Sequence, residues 1–452
     1  MAASDGDGRE PVAPTAGPGT GPGDCEPAEE ALLEGDVPLV RGTARAALRH
    51  RDFRVVWIGI FLSSIGTWMQ NVLLGAYGWE LTHKASFVGT LYLAQLGPLL
   101  LLSTVGGLIA DVVDRRRFLV GMQLLQLLGS LGLAVLVLSD RPSEAGLVAC
   151  VFTIGICNAL GAPGQGAVVP SLVPKEDLPG AIALNSAQMN LSRVIGPTIG
   201  ALLYARAGAS VVFAANAATY LFAVAGLMIA RYPRKVGAVV EERGFARLAS
   251  GFRIARADPL IRRVLLTLVS FSLFSLTFVG MMPVIAADNF GIRPRSVSYG
   301  LFYAGFGLGA AVGAVSVGTM FAHRDKARLL RPGFAAFAVV LAAFGVTRSE
   351  ALAYPLAMAL GYAYFLVITS LSTVLQQHLT DEIRGRVMAL WIMSFGGTVP
   401  IGVWAGGRVV GVSSITTVLV GGAAWAAVLS VLADPARLTA EEPTDGAEVA
   451  TI

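Results

Sequence analysis

From residue 54 to residue 433 the chain runs in long apolar stretches broken by short polar ones, with no sustained alternation of apolar and polar positions of the kind a half-buried strand needs. Twelve such stretches can be drawn: 54–79, 86–110, 118–138, 145–169, 183–206, 210–230, 263–287, 297–322, 329–347, 351–376, 386–408 and 412–433. Each is long enough to cross about 30 Å of hydrocarbon as a helix. Most connections are short, which makes consecutive helices antiparallel neighbours. One is long, from Arg231 to Arg263, and it divides the twelve into six and six. The expected organisation is an acidic tail without a core over 1–45, a six-helix half over 46–232, a basic linker over 233–262, a second six-helix half over 263–433 and a short tail over 434–452. The linker holds a stretch, Phe245 to Arg256, whose Phe245, Leu248, Phe252 and Ile254 can lie on a membrane with arginines facing water; a soluble linker helix fits the same residues.

Composition narrows the class further. Hydrophobic residues make up 54% of the 452 and charged residues 14%, against about 25% charged in a soluble domain. That excludes a water-soluble enzyme of this size and leaves an all-α integral membrane protein. The three cysteines, Cys25, Cys150 and Cys157, form neither a disulfide framework nor a metal-site spacing. Nine acids and one base fall in residues 1–36. The remaining positive charge is distributed by side: with the termini and every second loop assigned to one face, that face carries 25 Lys and Arg and the other seven. This asymmetry places both termini in the cytoplasm and describes loops that orient a membrane protein, not a nucleic-acid surface. Thirty Arg against four Lys, with abundant Ala and Gly, points to a GC-rich bacterial genome, and hence to a multi-pass protein of the plasma (inner) membrane of a bacterium.

The two halves repeat one another weakly. Gly89-Thr-Leu-Tyr92 matches Gly300-Leu-Phe-Tyr303 at an offset of 211, as do Gly107 and Gly318, Arg115 and Lys326, and Arg117 and Arg328; Glu176-Asp-Leu-Pro-Gly180 matches Asp381-Glu-Ile-Arg-Gly385 at 205. Two parallel repeats are a pattern of rocking transporters with a site between the halves. After the second segment comes Gly107-Leu-Ile-Ala-Asp111-Val-Val-Asp114-Arg115-Arg116-Arg117, with Val112 where a base and Asp114 where a glycine would be usual. This stretch resembles the loop signature of the major facilitator superfamily. The fifth segment carries Gly196-Pro197-Thr-Ile-Gly200, similar to the fifth-segment motif of drug–proton antiporters, with Ala201 in place of the final glycine. Together with Pro170-Ser-Leu-Val-Pro174, Ala183-Leu-Asn-Ser, Asn190, Arg193 and Asp381-Glu-Ile-Arg-Gly-Arg-Val387, it resembles the enterobactin-exporter and macrolide-efflux branch of that superfamily over about residues 45–433. The resemblance implies twelve transmembrane helices in two pseudo-symmetric halves, secondary active export of small, amphipathic organic molecules (a drug, secondary metabolite or siderophore) by alternating access, a coupling proton, and gating roles for Gly107, Asp111, Arg115, Arg116, Arg117, Gly196, Pro197 and Gly200. An uptake carrier of the same fold and a transport-inactive membrane sensor or partner protein remain as alternatives.

In that superfamily helices 1, 4, 7 and 10 line a central cavity, which directs attention to Ser64, Trp68 and Asn71, to Asn158 and Gln165, to the stripe Phe271, Phe274, Phe278 and Met282, and to Tyr362, Phe365, Thr369, Ser372 and Gln376. Amides and hydroxyls at this depth face either a wet cavity or another helix; the aromatic stripe fits a pocket wall or a packing surface. Arg193, the eleventh residue of its 24-residue segment, is the one base near mid-depth. It must face the interior, and contact with an anionic part of a substrate, a gating interaction or a bond to carbonyls freed at Pro197 would each hold it. No acid lies mid-helix; Glu80 beside His83 fits an outer proton site or an ordinary solvated pair. No Gly-x-x-x-x-Gly-Lys loop, metal-ligand cluster or Ser–His–Asp set is present. The expected partners are therefore a small-molecule substrate, the lipid bilayer and a proton, with no cofactor, no metal, no nucleic acid and no enzymatic activity, in a protein acting as a monomer.

Overall fold

The computed structural model describes residues 42–168, 171–232 and 245–432; residues 1–41 of the expected N-terminal tail, Pro170, linker residues 233–244 and the expected C-terminal tail lie outside them, while Ala44 and Arg45, expected in the tail, begin a short helix, Ala44–Arg49, packed on the fifth long helix. The long helices are α1 (Arg51–Thr82), α2 (Ala85–Val112), α3 (Arg115–Leu136), α4 (Glu144–Val168), α5 (Leu178–Ala207), α6 (Ala209–Ile229), α7 in two pieces (Pro259–Phe274 and Phe278–Phe290), α8 (Val297–Gly318), α9 (Lys326–Val346), α10 (Glu350–His378), α11 (Asp381–Val412) and α12 (Ile415–Leu432). Among the described residues eleven spans are long and apolar enough to cross a membrane. The twelfth helix, α5, is 30 residues long but carries Asn185, Gln188, Asn190, Ser192 and Arg193. It escapes lipid by packing on α1 and α6 on one side and α8 on the other.

Packing repeats as the sequence does. In the first half α1 packs on α5 and α6, α3 on α4 and α6, and α2 on α4. In the second half α7 packs on α11 and α12, α9 on α10 and α12, and α8 on α10. The halves meet through α2 with α11 and α5 with α8, which are the same pair under exchange of the repeats. Glycines make the closest approaches. A Cβ on Gly155 would lie 2.6 Å from the Ala94 and Gln95 carbonyl oxygens, and one on Gly361 would lie 2.1 Å from the Phe306 carbonyl oxygen; Gln95 and Phe306 are again 211 apart. Gly309 faces the Met358 carbonyl so closely that a Cβ would sit 1.9 Å from it. Small residues are what allow helices to associate in lipid, where burying apolar side chains against one another gains little over lipid contact.

Two local features follow from capping. Asp114, which departs from the loop signature, is the N-cap of α3: its Oδ1 accepts from the Arg117 N–H at 2.8 Å. Its repeat equivalent Asp325 caps α9, accepting from the Ala327 N–H at 2.9 Å. Beside it the Lys326 ammonium donates to the Ala322 and Arg324 carbonyls, both at 2.9 Å, satisfying the chain where it leaves α8.

The seventh segment differs from its expected continuous form. The helix breaks at Ser275–Thr277. The Ser275 hydroxyl donates to the Gly422 carbonyl at 2.8 Å and the Thr277 hydroxyl to the Gly402 carbonyl at 3.3 Å. Those hydroxyls bond α12 and α11, and both residues are buried, the condition under which non-helical backbone is tolerated at membrane depth. The break sorts the packing of α7. Its first piece lies on α10, α11 and α12, whereas the second also touches α1 and α2 of the other half. Of the glycine approaches between halves, Gly75 to Pro283, Gly89 to Trp404, Gly407 to Ala85 and Gly300 to Ala201 lie toward the end remote from the chain termini, and Gly397 to Leu100, where a Cβ would stand 2.1 Å from the leucine, lies near mid-depth. The two halves are thus in close contact from that far end to about mid-depth.

The linker helix Phe245–Ala257 lies on α11 and on the first piece of α7. Ser250, Gly251 and Ala255 are its buried residues, with Gly251 against the Arg386 carbonyl. Phe252 is exposed as expected of a membrane-facing position, but Ile254 turns toward the protein, because the small residues set the face that packs; the side chains of Phe245 and Leu248 lie outside the description. At the start of α7, Asp258 accepts from the Leu260 and Ile261 N–H groups at 2.9 and 3.0 Å and pairs with His378 Nε2, at the end of α10, at 2.7 Å. Burial pushes the Asp258 carboxyl up, but the N–H donors and His378 outweigh it and hold it below the usual carboxylate range.

Gly309→Ala should lower thermal stability by overpacking α8 on α10, by about 1–3 kcal/mol, read as a drop in the unfolding midpoint of the protein in detergent. Asp258→Ala should cost about 1 kcal/mol through the lost cap. Because the Asp258 pKa is depressed on folding, its contribution is present above the ordinary carboxylate pKa and fades as pH falls through the folded value. The gap between wild type and Asp258→Ala in a thermal-unfolding series should therefore close below about pH 4.

Candidate functional site

Between the halves, α4 packs on α2 and α3, and α10 on α7, α8 and α9, each within its own half. The two are not packed closely on each other, which leaves a central space between the halves. Asn158 on α4 and Gln376 on α10 are exposed; Gln165, Tyr362 and Thr369 are half-buried. Gln376 Nε2 donates to the Ser372 hydroxyl at 2.9 Å. Ser64 and Asn71 on α1 are tied to neighbouring helices: Gln188 Nε2 donates to the Ser64 hydroxyl at 3.2 Å, and Gln95 Nε2 donates to Asn71 Oδ1.

At mid-depth in this space stands Arg193 of α5. Its guanidinium carbon lies 5.2 Å from the ring centre of Trp68 on α1 and 5.7 Å from that of Phe365 on α10. The position is dictated by the local fold of α5. Gly196 lets α5 approach the Ile65 carbonyl and Trp68 Cβ, each at 2.7 Å from where a Cβ would stand, and Gly200 does the same against Met69. With Pro197 buried beside them, these residues clamp α5 on α1, so Arg193 projects over Trp68 and across to the second half. Tyr92 on α2, Tyr303 on α8 and Tyr364 on α10 all lie within electrostatic reach of the guanidinium. Tyr364 stands edge-on to Phe365, with ring centres 4.8 Å apart. Arg193 Nε is buried without a hydrogen-bond partner. Desolvating a cation at this depth is costly, and aromatic faces offset about 0.5–2 kcal/mol of that each.

The structure brings Trp68, Arg193 and Phe365 together and adds three tyrosines that reading the cavity helices alone missed. Tyr92 and Tyr303 end the two matched stretches Gly89–Tyr92 and Gly300–Tyr303, so the repeat itself was the signal for them. The seventh-helix stripe is not part of this group. Phe278 is fully buried against Phe306, Phe337 and Tyr364, with ring centres 5.7, 6.0 and 5.9 Å away, and Phe271 packs on Phe334 and Phe337. Phe274 is half exposed and lies against Trp425 of α12 at 5.2 Å. Breaking α7 turns its residues toward α9 and α12 instead of along one continuous face.

In the loop signature, Gly107 and Asp111 fall in the last turns of α2, and their side chains lie outside the description. Arg115, Arg116 and Arg117 open α3. The Arg116 guanidinium donates to the Met228 carbonyl near the end of α6. At the far end Tyr204 of α5 donates to Glu80 of α1, and the Arg295 guanidinium, from the second half, lies 5.6 Å over the Tyr204 ring.

A twelve-helix bundle of two repeated halves, with a partly polar site between them, is the architecture of a secondary transporter. The chain matches the transmembrane secretion effector family over residues 42–450 and belongs to it. It is 27% identical over 350 residues to the enterobactin exporter EntS of Salmonella typhi, covering 76% of this chain and 81% of that one, and equally to that of Escherichia coli O1:K1 over 347 residues. Its fold is that of solved transporters: the nucleoside transporter NupG, with TM-score 0.70 and 12% identity over 85% of this chain and 99% of that one, and a bacterial homologue of the lysosomal transporter Spinster in an inward-facing, unoccupied conformation, with TM-score 0.67 and 14% identity over 85% and 97%. The protein is a major facilitator transporter exporting small organic molecules, and not an enzyme.

Phe278→Ala should destabilise the second half by about 3–5 kcal/mol, seen as a large drop in unfolding temperature. Phe274→Ala should change it far less, because half of that ring is already outside the protein.

Proposed function

We propose that the protein works in the plasma membrane of a bacterium as a monomer with both termini in the cytoplasm. It takes amphipathic solutes from the cytoplasmic side and releases them outside in exchange for protons. The observation that supports this reading best is Arg193, set with tyrosines of both halves between the far end and the terminal side. The 25 Lys and Arg on that side support a cytoplasmic opening.

Trp68, Arg193 and Phe365 hold the solute, and Asn158, Gln165, Tyr362, Thr369 and Gln376 line its approach. Ser64 and Asn71 set the shape of the wall through their bonds to α5 and α2. The stretch Gly107–Arg117, with Asp111 at its centre, closes the cytoplasmic mouth in the opposite conformation. Glu80, bonded to Tyr204 beside Arg295 of the other half, is where a proton arriving from outside meets a contact between the halves.

Untargeted mass spectrometry of medium and cell extract from a strain lacking the protein, beside its parent, tests the reading. A compound lost from the medium and retained in the cells is the expected result. Slower uptake of a nutrient would establish the uptake carrier instead, and unchanged profiles with an altered cellular response would establish the sensor. In proteoliposomes loaded with the exported compound, an inward proton gradient should accelerate its efflux; equal rates with and without the gradient would remove proton coupling.

A further inference from the structure

The Arg193 site carries more than a general preference for amphipathic molecules. Trp68 and Phe365 answer the charge of the guanidinium but none of its five N–H donors. No carboxylate among the described residues pairs with Arg193, and its Nε has no hydrogen-bond partner. A base at hydrocarbon depth usually finds an acid or backbone carbonyls. Around it, no hydrogen bond joins the hydroxyls of Tyr92, Tyr303 and Tyr364 to another described residue. The group is therefore rich in unused donors, flanked by ring faces, and built from both halves: α1, α2 and α5 on one side, α8 and α10 on the other.

We propose that this is the binding site for a planar aromatic acid, with its carboxylate or equivalent anionic oxygens on the Arg193 guanidinium, its ring against Trp68 and Phe365, and ring hydroxyls within reach of the three tyrosines. A carboxylate matches the guanidinium fork with two parallel charge-assisted hydrogen bonds. An aromatic ring fits the flanking faces by offset or edge contact. The neighbouring hydroxyls both donate and accept, so they suit hydroxylated rings. Because Arg193 and Trp68 come from one half and Phe365, Tyr303 and Tyr364 from the other, such a ligand bridges the halves. This specifies the substrate class of the exporter proposed above and rests on that reading for its direction of movement.

Binding of 2-naphthoate to the purified full-length protein in nanodiscs, followed by calorimetry and by Trp fluorescence, tests the class without requiring transport. Two comparison probes separate its parts: 2-naphthamide has nearly the same shape and no charge, and cyclohexanecarboxylate has the charge and no ring. The wild type should bind 2-naphthoate at least about tenfold more tightly than either, the scale of one charge-assisted pair. In Arg193→Gln the advantage over 2-naphthamide should vanish, and in Arg193→Lys it should be reduced but retained, since the charge remains and the fork is lost. Phe365→Leu should weaken 2-naphthoate severalfold and leave cyclohexanecarboxylate unchanged, and it keeps the test alive if the Arg193 variants do not fold.

Equal wild-type affinity for 2-naphthoate and 2-naphthamide would overturn the proposal, as would an anion preference that survives Arg193→Gln. Efflux of neutral solutes by a protein without anion preference would leave the exporter standing and remove this site assignment. Selective 2-naphthoate binding in a protein that moves nothing would do the reverse.

Discussion

Within hydrocarbon, burying one apolar side chain against another gains little, because lipid tails offer the same contact. Helices in this protein are held where backbones come close enough for dispersion and carbonyl contacts to add up, and that requires residues without side chains. Gly155 against α2, Gly361 and Gly309 between α8 and α10, and Gly196 with Gly200 against α1 are those places. Everything else is arranged around them. The α5–α1 clamp aims Arg193, and the joints between the halves settle which end is closed.

The halves use different means to reach the same packing. The first is tied by a buried polar knot: Gln70 Oε1 accepts from the Ser130 hydroxyl at 2.7 Å and from Asn216 Nδ2 at 2.8 Å, joining α1, α3 and α6. The second has an aromatic core instead, with Phe271, Phe278, Phe302, Phe334, Phe337 and Phe344 all fully buried. A satisfied polar network fixes partners by direction, while interlocked rings fix them by shape. The site inherits both characters, with its cation from the first half and most of its rings from the second.

Much of the helical framework could be read from residue order, since apolar length alone marks a membrane helix. The repeat was also readable: Tyr92 and Tyr303, or Asp114 and Asp325, keep their offset in the sequence and their equivalent roles in space. What could not be read was set by partners far along the chain. The break in α7 depends on Ser275 and Thr277 bonding carbonyls of Gly422 and Gly402, which no local pattern shows. For the same reason the phenylalanine stripe of that helix read as one face, yet its rings go to different neighbours. Arg193 stood out because a lone base at mid-depth is expensive, but whether it met an acid, a carbonyl or a ring was a question of tertiary contact. Asp114 read as a departure from the loop signature and proves to be a helix cap.

The interruption of α7 also has a mechanical meaning. A continuous helix transmits torque along its length; a helix whose hydrogen-bond ladder stops at Ser275–Thr277 does not. The second piece leans on α1 and α2 of the opposite half as well as on its own half, and the first piece on α10, α11 and α12 of its own. Backbone bonds from the Ser275 N–H to Phe271 and from the Val279 N–H to Leu276, with the two side-chain bonds to glycine carbonyls on helices of the second half, hold the junction in register. The surroundings of α7 therefore change along its length: its first piece is held by its own half alone, and its second is shared by both.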